Sequence, residues 1–317
     1  MSRDNPSLAM EHCPMCRASD WVAVPGPKRS WTYLRCTRCG HQLLFPMPTD
    51  LDLSAFYNSR YRVPLDAYLQ GARREFPRVS DFIGRWRTGR MLEVGCSYGE
   101  MLWLFSSAGW DVEGVELDAR AASYAREQRG LRVHAGTLEE VRDVLTPGYD
   151  VIAAYHVVEH IPEPARFFGL LVPLLRPGGC LVLKTPNGAS VAARAAHGWW
   201  QWASPPEHIH LFTPRSIATL LAGVGLAVDR CITRRGDARG TLAECTRAFI
   251  RRAVPGLATY RGSTAPARRR APASRLARRI SESAMDFVGR PIDWLIDAAG
   301  SQGRPIGAEI LLLARRV

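Results

Sequence analysis

One octapeptide constrains this chain more than any other part of it. Leu92-Glu93-Val94-Gly95-Cys96-Ser97-Tyr98-Gly99 reads as an apolar strand that runs into a turn with two glycines and then into a helix from Glu100 to Ala108. A glycine turn lets a ligand approach the backbone, and the helix start behind it presents free N–H groups. Alone, such a turn says little, because tight turns need glycine whatever they bind. Its context says more. Asp111 to Glu116 reads as the next strand, and Glu116 closes it 21 residues after Gly95. A carboxylate in that position can accept both hydroxyls of a ribose.

The rest of the middle of the chain keeps the same alternation. Helical patterns at 119–128, 164–175 and from Pro214 to about Gly223 alternate with apolar runs at 131–134, 150–155, 180–184 and 226–233. Strands alternating with helices imply βαβ units, hence an α/β fold with a Rossmann-like sheet and helices on both faces. A further apolar run, Gly307 to Ala314, reads as a last buried strand. The expected organisation is a cysteine-bearing module at 1–48, a helical lid or linker at 49–88, the core at 89–235, an Arg-rich and partly helical insertion at 236–304, and the final core strand at 305–317. The lid segment carries Phe56, Tyr57, Tyr61, Tyr68, Phe76, Phe82 and Trp86 at helical spacings. Packing on the next domain or cover over a substrate pocket would each produce that stripe.

Two knuckles, Cys13-Pro14-Met15-Cys16 and Cys36-Thr37-Arg38-Cys39, supply four thiolates at the spacing of a closed tetrahedral zinc site. Such a site has no open position, so its expected role is structural. Cys96, Cys180, Cys231 and Cys245 are scattered and read as small buried side chains. No run approaches the roughly 18 apolar residues of a membrane span, and the first residues lack a signal-peptide core. The expectation is a cytoplasmic chain with reduced or metal-bound cysteines.

The dinucleotide pattern G-x-G-x-x-G is absent, since the spacing here is Gly95-x-x-x-Gly99. With its preceding acid, the turn instead resembles the first motif of the class I S-adenosylmethionine-dependent methyltransferases, with Ser97 in place of a glycine. The resemblance continues through Asp150-Val151-Ile152, Leu175-Arg176-Pro177-Gly178-Gly179 and Thr185-Pro186-Asn187. It implies S-adenosylmethionine as cofactor. Glu93, Gly95, Cys96, Ser97 and Gly99 would surround its methionine part, Glu116 would hold the ribose, and Leu117 would pack on adenine. Thr137 and Leu138 would form the adenine-edge loop, and His156 would lie near the cofactor. With the N-terminal C-x-x-C ribbon, the chain is similar to a bacterial small-molecule and glycan branch of these enzymes. That branch implies O-methylation of a sugar, glycan or other hydroxylated small molecule.

His156-Val157-Val158-Glu159-His160 also matches the H-x-x-E-H zinc-protease pattern, which needs a helix to bring its ligands together. A strand before it and Pro162 and Pro164 after it argue against one. Whether Glu159 and His160 hold a second metal stays open. On the acceptor side, Gly198-Trp199-Trp200-Gln201-Trp202 precedes Pro205-Pro206-Glu207-His208-Ile209-His210. Aromatic rings beside titratable groups suit an acceptor pocket, and His208, His210 and His160 are the candidate general bases, His208 first.

The net charge of +12 brings in nucleic acid as a second partner class. Only Lys28 and Lys184 are lysines, however, and residues 241–317 hold 14 arginines against six acidic residues. A local basic arm in the insertion, able to contact a partner or an anionic membrane surface, fits that distribution better than a basic cleft. The competing readings are therefore ribosomal RNA methylation and a non-catalytic cofactor-binding assembly or regulatory protein.

Overall fold

A computed structural model describes residues 11–27, 30–59, 64–84, 88–234 and 306–317. The expected 236–304 insertion lies outside the described residues. The chain divides into two units. One comprises Val63–Thr185, Ala218–Cys231 and Leu311–Val317; the other comprises Met1–Arg62, Pro186–Ile217 and Ile232–Ile310.

The first unit grows from short strands, of which the central ones are apolar enough to be covered on both faces. Strands β4 (Arg90–Val94), β5 (Asp111–Glu116), β6 (Arg132–Ala135), β7 (Tyr149–Tyr155) and β8 (Leu175–Pro186) pair in parallel where consecutive neighbours meet. Val151 to Ala154 and Cys180 to Leu183 are wholly buried, as strands covered on both faces must be. With β10 (Leu226–Arg234) and β11 (Glu309–Arg316), the sheet order is β10-β11-β8-β7-β4-β5-β6. The last strand in sequence thus slots between the fifth and sixth of the sheet. Asp150 ties the amino ends of β4, β7 and β8 together, accepting from the Arg90 N–H at 2.8 Å and from Arg176 Nε at 2.5 Å.

Connectivity runs outward in both directions from β4, through β5 and β6 on one side and through β7 and β8 on the other. The switch point therefore lies between β4 and β7, where the carboxyl ends of an open sheet leave a crevice for ligands. Helices α3 (Glu100–Ser107) and α4 (Ala119–Arg129) connect β4, β5 and β6, and α6 (Pro164–Leu171) connects β7 to β8. Helix α2 (Leu65–Ile83) packs Phe76 edge-on against Phe105 at 5.0 Å and lays Phe82 under the Arg230 guanidinium at 4.6 Å. Phe76 and Phe82 of the aromatic stripe accordingly pack on this unit. Tyr61 and Trp86 lie outside the described residues.

In the second unit, β1 (Trp21–Ala23), β2 (Thr32–Cys36) and β3 (Gln42–Phe45) form an antiparallel ribbon. A two-residue strand, β9 (His210–Leu211), completes it by pairing with β3. Its core is shared between distant parts of the chain. Tyr33 and Leu44 pack with Ala192 and Ala196 of α7 (Val191–Ala196), and with Trp200 and Leu211. Helix α1 (Asp50–Ser59) belongs to this unit, and α8 (Pro214–Ala222) starts in it behind a Thr213 cap, whose Oγ1 accepts from the Ser216 N–H at 3.0 Å. Among the described residues no helix is long and apolar enough to cross a membrane.

Candidate functional site

The turn after β4 is shaped by three left-handed residues, Gly95 (φ +76°), Ser97 (φ +50°) and Gly99 (φ +75°). Gly95 could not be otherwise, because a Cβ there would run into Val157. Ser97 is the exception, since a side chain in this region costs about 1–3 kcal/mol. Glu116 offsets it. Its Oε2 accepts from the Ser97 N–H at 2.7 Å and its Oε1 from the Asp118 N–H at 2.8 Å. Charge-assisted bonds of this kind contribute about 1.5–3 kcal/mol each, so the carboxylate can hold the strained turn. Burial pushes the Glu116 carboxyl above its usual range, and the Asp118 and Ser97 N–H groups pull it back.

Glu93 lies beneath the same turn, 3 % exposed, with its Oε2 lacking any hydrogen-bond partner. Burial first, and then the charge of Glu116, lift its carboxyl to about 8. A buried acceptor left without a donor costs about 1–3 kcal/mol, so this oxygen suits a donor brought by a ligand. Leu117 follows with 54 % of its surface exposed, an apolar side chain held open at the strand end. These features fit the parts of S-adenosylmethionine: an ammonium for Glu93, ribose hydroxyls for the remaining lone pairs of Glu116, and a flat adenine for Leu117. Cys96 turns its thiol inward, where burial raises its pKa, and its carbonyl accepts from the Gly99 N–H at 2.9 Å. Thr137 caps the short helix α5 (Leu138–Val141) in a capping box with Glu140, and Leu138 is buried.

One residue in this site escapes sequence reasoning. The Tyr68 hydroxyl, reaching from α2, donates to the Cys96 carbonyl at 2.7 Å, and its ring lies 5.7 Å from that of Tyr98. Burial, then the charges of Glu93, Cys96 and Glu116, raise its pKa. Its only signal was membership of the aromatic stripe, which Phe76 and Phe82 share.

Across the switch point, His156 leaves β7 in the left-handed region (φ +56°). Its Nδ1 donates to Glu159 Oε1 at 3.1 Å, and the fully buried Glu159 accepts from Thr185 Oγ1 at 2.9 Å. Val158–His160 forms a single 3-10 turn rather than an α-helix, so the protease pattern lacks the helix it requires. His160 sits at the end of that turn, its N–H bonded to the Val157 carbonyl at 2.9 Å.

In the ribbon unit the two knuckles repeat one backbone device. Each C-x-x-C is followed by a left-handed residue, Arg17 (φ +63°) and Gly40 (φ +75°), whose N–H returns to the first cysteine's carbonyl at 2.9 and 3.0 Å. The Cys13 and Cys39 sulfurs are 3.7 Å apart and those of Cys16 and Cys36 are 3.6 Å apart. A tetrahedron with zinc–sulfur bonds of about 2.3 Å has edges of about 3.8 Å; these two separations come close to that, and all four sulfurs lie within 4.8 Å of one another.

His208 and His210 have different partners. His208 is 4 % exposed, stacked on Trp202 with ring centres 5.6 Å apart, and its Nδ1 lies 2.8 Å from the Trp202 carbonyl. A carbonyl can only accept, so Nδ1 carries the proton and Nε2 becomes the basic nitrogen. His210 is buried in β9, with its Nδ1 at 3.0 Å from Nε2 of His41 and its ring stacked on Phe212.

A sequence family described as a methyltransferase domain matches residues 67–230. The chain belongs to that family, and its class is the class I S-adenosylmethionine-dependent methyltransferases, with a Rossmann-like α/β core. Similar curated proteins carry the name ubiquinone biosynthesis O-methyltransferase. That of Alkalilimnicola ehrlichii is 26 % identical over 149 residues, covering 41 % of this chain and 60 % of its own length. That of Cereibacter sphaeroides is 30 % identical over 152 residues, covering 44 % and 62 %. The chain thus spans about three fifths of these two relatives. Among solved structures, an S-adenosylmethionine-dependent methyltransferase from Archaeoglobus fulgidus aligns over 77 % of this chain and 94 % of its own, with a TM-score of 0.49 and 17 % identity.

Proposed function

We propose that this chain transfers a methyl group from S-adenosylmethionine to an oxygen of a hydroxylated small molecule. The observation that carries the reading is the buried carboxylate pair at the switch point, Glu116 clamped to the Ser97 turn and Glu93 with an unpartnered oxygen. Bound S-adenosylmethionine would supply a methyl group already activated on its sulfonium. The chain's own work is then to hold and align. Glu93, with the Gly95, Cys96, Ser97 and Gly99 backbone, receives the amino-acid end; Glu116 accepts the ribose hydroxyls; Leu117, Thr137 and Leu138 border the adenine. His156, fixed through Glu159, faces the same strand ends.

As the acceptor oxygen bonds to the methyl carbon and the carbon–sulfur bond breaks, the hydroxyl proton must leave. His208 is the base in this proposal, because its Nδ1–H is committed to the Trp202 carbonyl and Nε2 is the nitrogen that can take a proton. His210, whose Nδ1 meets His41, and His160 are the alternative bases. Oxygen as the methylated atom agrees with the name the curated relatives carry. The narrower sugar or glycan acceptor rests on the sequence resemblance alone. Cys13, Cys16, Cys36 and Cys39 hold a structural Zn²⁺.

The test incubates the chain with methyl-labelled S-adenosylmethionine and fractionated cell extract, and reads the label by mass spectrometry. Label on the oxygen of a small molecule supports the reading. Label in ribosomal RNA establishes the alternative that the arginine excess favours, and binding of S-adenosylhomocysteine with no transfer to any fraction points to a non-catalytic cofactor-binding protein.

A further inference from the structure

The cysteine ribbon and the His208 segment are one construction. Beside the β3–β9 pairing, hydrogen bonds of several kinds join residues 25–44 to residues 188–213. Leu44 N–H donates to the Ile209 carbonyl at 2.9 Å, and Gly198 N–H to the Pro25 carbonyl at 2.8 Å. The Gln42 amide donates to the Gly188 carbonyl at 3.0 Å. Thr213 Oγ1 donates to the Cys39 carbonyl at 2.9 Å, directly behind a knuckle. His41 meets His210 at 3.0 Å, and the Tyr33 hydroxyl donates to the backbone carbonyl of His208 itself at 2.5 Å. Gly198 allows the closest approach, since a Cβ there would stand 2.8 Å from the Gly26 Cα.

Tyr33 is placed by the β2–β3 register, opposite Leu44, and the Cys36–Cys39 knuckle closes the same hairpin. Strands of three to five residues are too short to be stable without a further tie, and four converging thiols supply one when they bind a metal. We propose that the ribbon is a positioning device for the acceptor-side segment: metal at the knuckles fixes β2 and β3, and Tyr33 passes that order to the His208 backbone. Tyr33 is thus a positioning residue. Its consequence for catalysis rests on the reading of His208 as base, whereas the physical coupling does not.

The test is amide hydrogen exchange of the full zinc-loaded chain, read by mass spectrometry, with no acceptor required. Tyr33→Phe keeps the ring in the core and removes only the hydroxyl. Exchange in the peptide 204–213 should accelerate about tenfold, the equivalent of about 1.4 kcal/mol for one lost hydrogen bond. Stripping zinc from the wild-type chain with a chelator should accelerate the same peptide by more than Tyr33→Phe does. Peptides covering β4 and β5, and the affinity for S-adenosylhomocysteine, should be unchanged in both arms. Unchanged exchange at 204–213 in either arm overturns the proposal, as does equal acceleration in β4 and β5, which would make the ribbon a general stabiliser. If exchange responds as stated while His208→Gln leaves methylation intact, the coupling stands and the base assignment falls.

Discussion

Glu116→Gln is the most incisive perturbation of the cofactor site, because it keeps the shape of the side chain and removes one acceptor. The carboxylate now serves two backbone donors, Ser97 N–H at 2.7 Å and Asp118 N–H at 2.8 Å. An amide has one oxygen, so one of these N–H groups must face an NH₂. Losing one charge-assisted bond should cost about 1.5–3 kcal/mol of stability. For a unit of this size that is a fall of about 3–12 °C in the melting temperature. If the left-handed Ser97 relaxes when its N–H is released, part of the loss is recovered and the lower end applies. The ribose would lose an acceptor as well, so the affinity for S-adenosylhomocysteine should drop about 10- to 150-fold. Scanning calorimetry and titration calorimetry measure the two effects separately. A lower melting temperature with unchanged affinity would confine Glu116 to bracing the turn. No change in either quantity would refute the clamp altogether.

Three further outcomes are expected. The chain should carry one zinc by elemental analysis, and Cys36→Ser should lose it while the seven-stranded sheet stays folded; absence of zinc from protein prepared without chelator would exclude the site. With its pKa near 8 against 4.5 unfolded, Glu93 binds more protons in the native state between those values, so its contribution to stability is present below pH 4.5 and lost as pH rises through about 8. Binding a cationic amino group should ionise it, so S-adenosylhomocysteine should bind more tightly from about pH 6 to 8 with measurable proton release, and Glu93→Gln should abolish that release. His208→Gln should lower turnover on the acceptor found by labelling by about 100-fold or more without changing cofactor affinity, whereas near-wild-type turnover with the same pH profile would show that alignment alone suffices.

Local pattern carried most of the sheet. The runs at 90–94 and 111–116 became β4 and β5 without adjustment, because their apolar residues Met91, Leu92, Val94, Val112 and Val115 are all buried in the sheet. Glu116 was legible from its place: a carboxylate ending the second strand, 21 residues after Gly95, is positioned to meet a ribose. The knuckles were legible because metal geometry dictates their spacing. The strain at Ser97 was less visible, since its φ is imposed by the turn and compensated by a carboxylate 19 residues away. Tyr68 was hidden among aromatic residues that simply pack.

The acceptor-side histidines show where local reading ends. If 208–210 were extended, His208 and His210 would present one face and could share a role. In the fold, β9 covers only His210–Leu211, and His210 is spent on His41, a residue 169 positions earlier. A two-residue strand has no periodicity of its own and exists only because β3 offers it an edge. Sequence by itself thus determined the elements whose burial or ligand set is local: the parallel strands, the glycine turn with its acidic partner, and the four cysteines. Only the tertiary structure decided what the two acceptor-side histidines touch, because His41 reaches the His210 ring and the Tyr33 hydroxyl reaches the His208 carbonyl across 169 and 175 positions of chain.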